Sequence, residues 1–322
     1  MRAFAYTSPE DYGSAAKVLR DSPTALPKAG GTDLLDLLKE RILEPPRLVN
    51  LLRVAPVKGG PDTLGAGLTL AQVANSRHVQ RHYPALATAA NEAANPQIRN
   101  MGTVGGNLCQ VSRCAYLRTG HACLKLGDDV CSADQPGAHT RYAGVFPHGG
   151  CRSAHASNLA PALIACGGRV VLTSPEGQRE IEVEKLYQLP QRGVLADTVL
   201  KQDELIHSIA LAPSALTRNS VYLELRERQT FDFALVAVSA ALELADGKVK
   251  AARIACSGVA PIPLRAHAAE KVLVGKEPSD ALLANAARAA TKGAEPTVDN
   301  RHKVVLLERL IVRALKQLRG EK

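Results

Sequence analysis

Two glycine-rich runs carry the first recognisable chemistry of this sequence. Lys28-Ala-Gly-Gly-Thr-Asp-Leu34 lies near the start, and Asn100-Met-Gly-Thr-Val-Gly-Gly-Asn-Leu108 follows about seventy residues later. Adjacent glycines reach φ > 0 and carry no Cβ, so backbone N–H groups can converge on an oxyanion. Alone, either run reads as a tight turn. Two runs, each pairing Gly-Gly with a threonine and an Asn or Asp, point to one ligand with more than one phosphate. Neither run reads G-x-x-x-x-G-K-S/T or G-x-G-x-x-G, so a P-loop and a Rossmann fingerprint are both excluded.

The second chemistry is sulfur. Five of the seven cysteines fall between residues 109 and 155, a stretch with little hydrophobic periodicity. A structureless loop of that length in a compact domain calls for a staple. Cys114, Cys123, Cys131 and Cys151 are separated by eight, seven and nineteen residues. Four thiolates can hold a 4Fe-4S cluster or a zinc ion. Structural zinc usually shows C-x₂₋₄-C pairs, which are absent here, and the spacing is loose for a ferredoxin. By spacing alone, a metal site and unrelated thiols stand level. Cys109, two residues after Asn107, competes with Cys114. His121, His139, His148 and His155 keep a mixed Cys/His zinc site open. Cys166 on a helix face and Cys256 in a strand read as small core residues.

The elements that must position these groups divide the chain in three. Residues 1–53 read as a small α/β unit. Phe4 to Tyr6 is an edge strand, Ser8 caps a helix with Pro9 in its first position, and a short helix runs from Asp33 to Lys39. Backbone N–H groups at that helix start favour a pyrophosphate. Residues 54–213 read as a larger α/β unit, with the cysteine-rich insertion at 109–155. Its helices include Pro84 to Ala94 and the face Leu159, Ala162, Leu163, Cys166, closed by Gly167 and Gly168. Residues 214–322 put strands before helices: Val221 to Arg226, an apolar run from Phe233, an Asp246-Gly247 hairpin turn, and a last helix over Val304 to Leu318. The fold class is α+β.

At 322 residues and 46% hydrophobic content the chain is globular, and Leu, Val and Ala build the core, because Trp is absent and Phe numbers 4. The net charge of +9 is scattered, with no dense Lys/Arg run and no interleaved aromatics, which argues against nucleic acid. An anionic ligand or an acidic partner subunit explains the sign equally well. No apolar run approaches the length of a membrane span. The start, Met1 to Tyr6, has no hydrophobic signal core, so the expected location is the cytoplasm, and the odd cysteine count fits reduced thiols or metal ligands.

The pair Ala29-Gly-Gly-Thr-Asp-Leu-Leu35 and Thr103-Val-Gly-Gly-Asn107 resembles the FAD-binding (medium) subunit of the molybdenum hydroxylase, or xanthine dehydrogenase, family. The resemblance continues through Ser157 to Leu163, Arg228 to Val236 and Gly258 to Arg265, and so spans nearly the whole chain. It implies a p-cresol methylhydroxylase-type FAD-binding domain of two subdomains, followed by a smaller C-terminal domain. It also implies that Pro27, Lys28, Ala29, Gly30, Gly31, Thr32, Asp33 and Leu34 wrap the FAD pyrophosphate from one side. Thr103, Val104, Gly105, Gly106 and Asn107 do so from the other. Asn158 stands where the family often has an FAD-contacting Asp, Ile206 where a residue packs near the flavin ring, and Glu224 where a basic residue is usual. Arg226 or Arg228 could replace that missing cation, which would stabilise reduced anionic flavin.

Some members carry a 4Fe-4S cluster in an insertion directly after the second glycine run, among them bacterial aldehyde oxidoreductases and 4-hydroxybenzoyl-CoA reductases. Cys123 to Cys131 resembles that insertion, and the ligand set it implies is Cys114, Cys123, Cys131 and Cys151. The implied role is electron transfer between a 2Fe-2S small subunit and an external acceptor, beside a molybdopterin-binding large subunit, with aldehyde oxidation as the reaction. No catalytic base or nucleophile is required on this chain. The alternatives are a 4-hydroxybenzoyl-CoA reductase-like medium subunit, a stand-alone FAD-dependent oxidase, and a zinc-stapled binding protein. Related complexes also reach the periplasm by co-export with a partner subunit.

Overall fold

Three sheets follow one another along the chain. A computed structural model describes residues 1–146, 149–229 and 231–321, so His148 lies outside the described residues. The first sheet is parallel, in the order β1 (Ala5–Thr7), β3 (Arg47–Asn50), β2 (Leu26–Lys28). Two helices, Tyr12–Asp21 and Leu34–Lys39, make its crossovers. The first of them begins later than Ser8 and Pro9 would have it. Asp11 is the N-cap and forms a capping box with Ser14, its carboxylate accepting from the Ser14 N–H at 2.7 Å. A carboxylate with a reciprocal partner three residues on outcompetes a serine followed by proline.

The second sheet runs β4 (Thr63–Gly65), β7 (Leu205–Ala210), β5 (Arg169–Ser174), β6 (Gly177–Glu182). Every pairing in it is antiparallel, which corrects the α/β reading of residues 54–213 to α+β. Helix Leu159–Ala165, buried along its whole length, packs against the strands Val236–Ala245 and Lys248–Ser257 of the third sheet and ends on Gly167 at φ +68°. Helix Pro84–Glu92 joins it in the large core, around Tyr83, Leu86, Leu163 and Ile209.

The third sheet is a meander of β8 (Ser220–Leu225), β9 (Val236–Ala245), β10 (Lys248–Ser257) and β11 (Leu264–Arg265). Its tight turn places Asp246 and Gly247 at φ +50° and +73°, as a two-residue hairpin requires. Helices His267–Leu273, Asp280–Thr291 and His302–Arg319 cover one face and share a separate core. Among the described residues no helix is long and apolar enough to cross a membrane.

The cysteine-rich segment has short helical turns at Ala115–Arg118, Leu124–Leu126 and Ser132–Asp134. Long-range polar contacts tie it down at both ends. At the front, the Asp33 carboxylate accepts from the Val111 N–H at 2.8 Å and from Arg118 at 2.8 Å, and it pairs with Arg113 at 3.1 Å. In the middle, Lys125 and Asp197 form an ion pair with the lysine fully buried. At the back, buried Lys303 donates to the carbonyls of Tyr142, Ala143 and Gly258 at 3.3, 2.9 and 2.5 Å.

Candidate functional site

The two glycine runs meet. A Cβ at Gly30 would lie 1.9 Å from the Met101 carbonyl oxygen, so only glycine allows the first run to rest on the second. Pro27 and Lys28 end β2, Ala29 and Gly30 follow, and Gly31 turns the chain at φ +75° before Leu34 starts its helix. The second run is less of a loop than its glycines imply. Thr103 caps the helix Val104–Leu108, accepting from the Gly106 N–H at 3.1 Å, so Gly105 and Gly106 form a first helical turn. Val104 is core, and Gly105 sits against Ala66.

A cavity of about 500 Å³ opens beside this junction, a size that suits a cofactor. Thr32, Asp33, Gly106, Asn107 and Asn158 line it from the flavin side of the sequence reading. Cys114, Ala133, Ser153 and His155 line it from the cysteine segment. Of the other residues expected at the site, Ile206 is buried in the large core opposite Leu172 and does not line this cavity. Glu224 stands behind the wall, its side chain 5% exposed.

Hydrogen bonds set what the wall offers. Asn107 Oδ1 accepts from Ser157 Oγ at 2.6 Å and from the Leu159 N–H at 3.3 Å, which leaves the Asn107 amide N–H groups for the cavity. The Asp33 side chain is spent on holding the cysteine segment. Arg113, held by Asp33 and Asp36, stacks 5.3 Å from the Phe233 ring at the rim. Burial drives the His155 imidazole down to about 3, with the Lys125 charge a smaller cause, so this histidine is neutral. Its Nε2 has no partner among the described residues, and its ring meets Tyr187 edge-on at 4.9 Å.

Of the four expected ligands, Cys114 lines the cavity, and Cys123, Cys131 and Cys151 lie behind its wall. Cys123, Cys131 and Cys151 are buried, and Cys114 is half-buried. Cys131 takes a hydrogen bond from Cys151, which pulls its thiol below the ordinary range. Cys114 lies close enough to Cys123 and Cys151 to feel their charge. Backbone N–H groups approach each sulfur: Tyr116 and Leu117 at Cys114, Lys125 and Leu126 at Cys123, Ala133 and Arg152 at Cys131, Ser153 at Cys151. Cys109 gets no such bond, and burial alone pushes it up to about 12. Cys166 and Cys256 are core residues. Among the described residues, no group of three or more His, Cys, Asp or Glu is arranged to hold a metal ion. His121 and His139 are exposed, away from such a role.

Residues 2–213 match the FAD binding domain in molybdopterin dehydrogenase, and residues 221–318 match the CO dehydrogenase flavoprotein C-terminal domain. The chain belongs to the molybdopterin dehydrogenase flavoprotein family. Its relatives include the aldehyde oxidoreductase FAD-binding subunit PaoB of Escherichia coli (strain K12), 32% identical over 333 residues and covering 100% of both chains. The carbon monoxide dehydrogenase medium chain of Hydrogenophaga pseudoflava is 27% identical, covering 97% of this chain and 96% of its own. The solved carbon monoxide dehydrogenase from that organism superposes at a TM-score of 0.74, with 26% identity over 98% of this chain and 96% of that one. Quinoline 2-oxidoreductase from Pseudomonas putida 86 shares the fold at the same TM-score, covering 99% of this chain and 97% of that one, with 24% identity. This flavoprotein is therefore an oxidoreductase subunit with an FAD-binding domain.

Sequence reading missed Ser157, Tyr222 and Arg113 as wall residues. Tyr222 had a signal, since it stands two positions before Glu224 on one strand and so shares its face. Arg113 had none, because its partner Asp33 is 80 residues away.

Proposed function

We propose that this flavoprotein is the FAD- and 4Fe-4S-carrying electron-transfer subunit of a molybdenum-dependent enzyme that oxidises an aldehyde. It takes electrons from a 2Fe-2S small subunit, with substrate turned over on a molybdopterin-binding large subunit, and passes them to an external acceptor. The observation that carries the reading is the shared cavity: Asn107 and Thr32 from the glycine runs face Cys114 and Ser153 from the cysteine segment across one space. The likeness to PaoB along the whole length supports aldehyde as the substrate class.

The glycine runs fit FAD. Gly30 leaves a cradle that a Cβ would fill, and the free Thr32 hydroxyl and Asn107 amide point to a polar ligand. Of the four cysteines, Cys131 alone is pulled below its ordinary range, by the hydrogen bond from Cys151; burial raises the Cys114 and Cys123 thiols against the nearby backbone N–H groups, and donation to Cys131 raises that of Cys151. FAD, when bound, supplies the one- and two-electron chemistry. The chain's residues orient it and exclude water, and neutral His155 keeps a second positive charge away from Lys125.

The test is a visible absorption spectrum of anaerobically purified protein, with FAD, iron, zinc and acid-labile sulfide quantified on the same sample. About four iron and four sulfide per FAD are expected. Zinc without FAD would overturn the reading, and FAD without iron would remove the cluster from it.

A further inference from the structure

Behind Asn158 lies a chain of buried polar groups that the glycine runs do not explain. Asn158 lines the cavity, and its amide nitrogen donates to Tyr222 Oη at 3.0 Å and to Glu224 Oε2 at 2.9 Å. Tyr222 donates to the same carboxylate oxygen at 2.7 Å. Arg226 pairs with Glu224 and reaches Glu92 Oε2 at 3.1 Å. The side chains of Glu224 and Arg226 are 5% and 10% exposed.

A carboxylate accepts and cannot donate. Beside Glu224, the Asn158 amide therefore has one stable orientation, with nitrogen inward. Both of its N–H groups are then committed. Its Oδ1 accepts from no described donor and is the atom left to the cavity. A buried carboxylate is costly unless paired, and Arg226 supplies the pair on the side away from the cavity.

We propose that Glu224 is a positioning residue that acts through Asn158, fixing a carbonyl oxygen toward the cavity so that the site selects a hydrogen-bond donor of FAD. That donor is a ring N–H or a ribityl hydroxyl. The inference rests on FAD being the occupant.

The test is FAD titration of the apoprotein, followed by flavin fluorescence and visible spectrum, for E224Q, N158D and the double variant. In E224Q the amide at 224 can donate, so Asn158 is free to turn its nitrogen to the cavity. Affinity is expected to fall about tenfold, the worth of one such hydrogen bond. N158D sets two carboxylates face to face and is expected to lose at least as much. In the double variant the aspartate accepts from the new glutamine and from Tyr222, and affinity returns to near that of the native protein. Rescue of this kind separates orientation from general damage. Native affinity in both single variants, or losses that simply multiply in the double, would overturn the proposal. If N158D does not fold, the isosteric E224Q decides alone: unchanged affinity and spectrum refute it. A shifted flavin band with weaker binding places the donor on the ring, and weaker binding with an unshifted band places it on the ribityl chain; both support it. A native protein that binds no FAD would instead remove the FAD reading itself.

Discussion

Gly30→Ala tests whether the two glycine runs form one cradle. The added methyl would lie 1.9 Å from the Met101 carbonyl oxygen and 2.7 Å from its carbon. Both are backbone atoms, so no rotamer change relieves the overlap. Ordinary contact begins at 3.4 Å, so the runs must part by about 1.5 Å. Overpacking of this kind costs about 2 kcal/mol. At roughly 2–4 °C per kcal/mol, the melting temperature falls by roughly 4–8 °C. Ligand contacts set by both runs suffer more, because a misplacement near 1 Å can cost about a hundredfold. The assay is fluorescence titration of apoprotein with FAD, paired with thermal denaturation. Gly60→Ala is the control, since a Cβ there meets nothing within 4 Å. If Gly30→Ala binds FAD within about twofold of the native protein and melts with it, the runs do not hold the ligand together and the cradle argument fails.

Two further outcomes are expected. On the proposed cluster reading, Cys131→Ala and Cys151→Ala should abolish bound iron whereas Cys109→Ala, half-buried and outside the proposed ligand set, keeps it; iron and sulfide content per FAD reads the difference, and the reverse pattern would move the ligand set. Lys303 sits where burial lowers its titration to about 7 against about 10.4 unfolded, so the unfolded chain binds the extra proton between those values. Stability should therefore rise with pH from about 7 to about 10, by up to about 1.4 kcal/mol per pH unit, and Lys303→Met should flatten that slope in denaturant titrations.

Local signals were readable where one short segment decides the outcome. The Asp246-Gly247 turn, the Gly167 cap and the β1 edge strand each depend on a few neighbouring residues. Direction of strand pairing was not readable in residues 54–213, because the partners Thr63–Gly65 and Leu205–Ala210 meet across some 140 residues. The second glycine run hid a helix, since glycine's low propensity is outweighed by the Thr103 cap and by Val104 and Leu108 in the core. Cysteine spacing left the metal question level, and what sharpened it was the family resemblance of Cys123 to Cys131, which spacing alone does not carry. The role of Asp33 was hidden for the same reason as the Asn158–Glu224 contact. Each joins segments that only the finished fold brings together.

The rear anchor of the cysteine segment has a consequence for the order of events during synthesis. Asn300 and Lys303 bond the carbonyls at 142–144, and Asp299 accepts from the Thr140 N–H at 3.1 Å. These anchors leave the ribosome roughly 150 residues after Cys151, a delay of about 8–30 s at ordinary elongation rates. Throughout that interval the four thiols are made but not yet locked in place. On the proposed cluster reading, iron and sulfide would have a window set by translation, open until the last helix docks and closes the segment from behind.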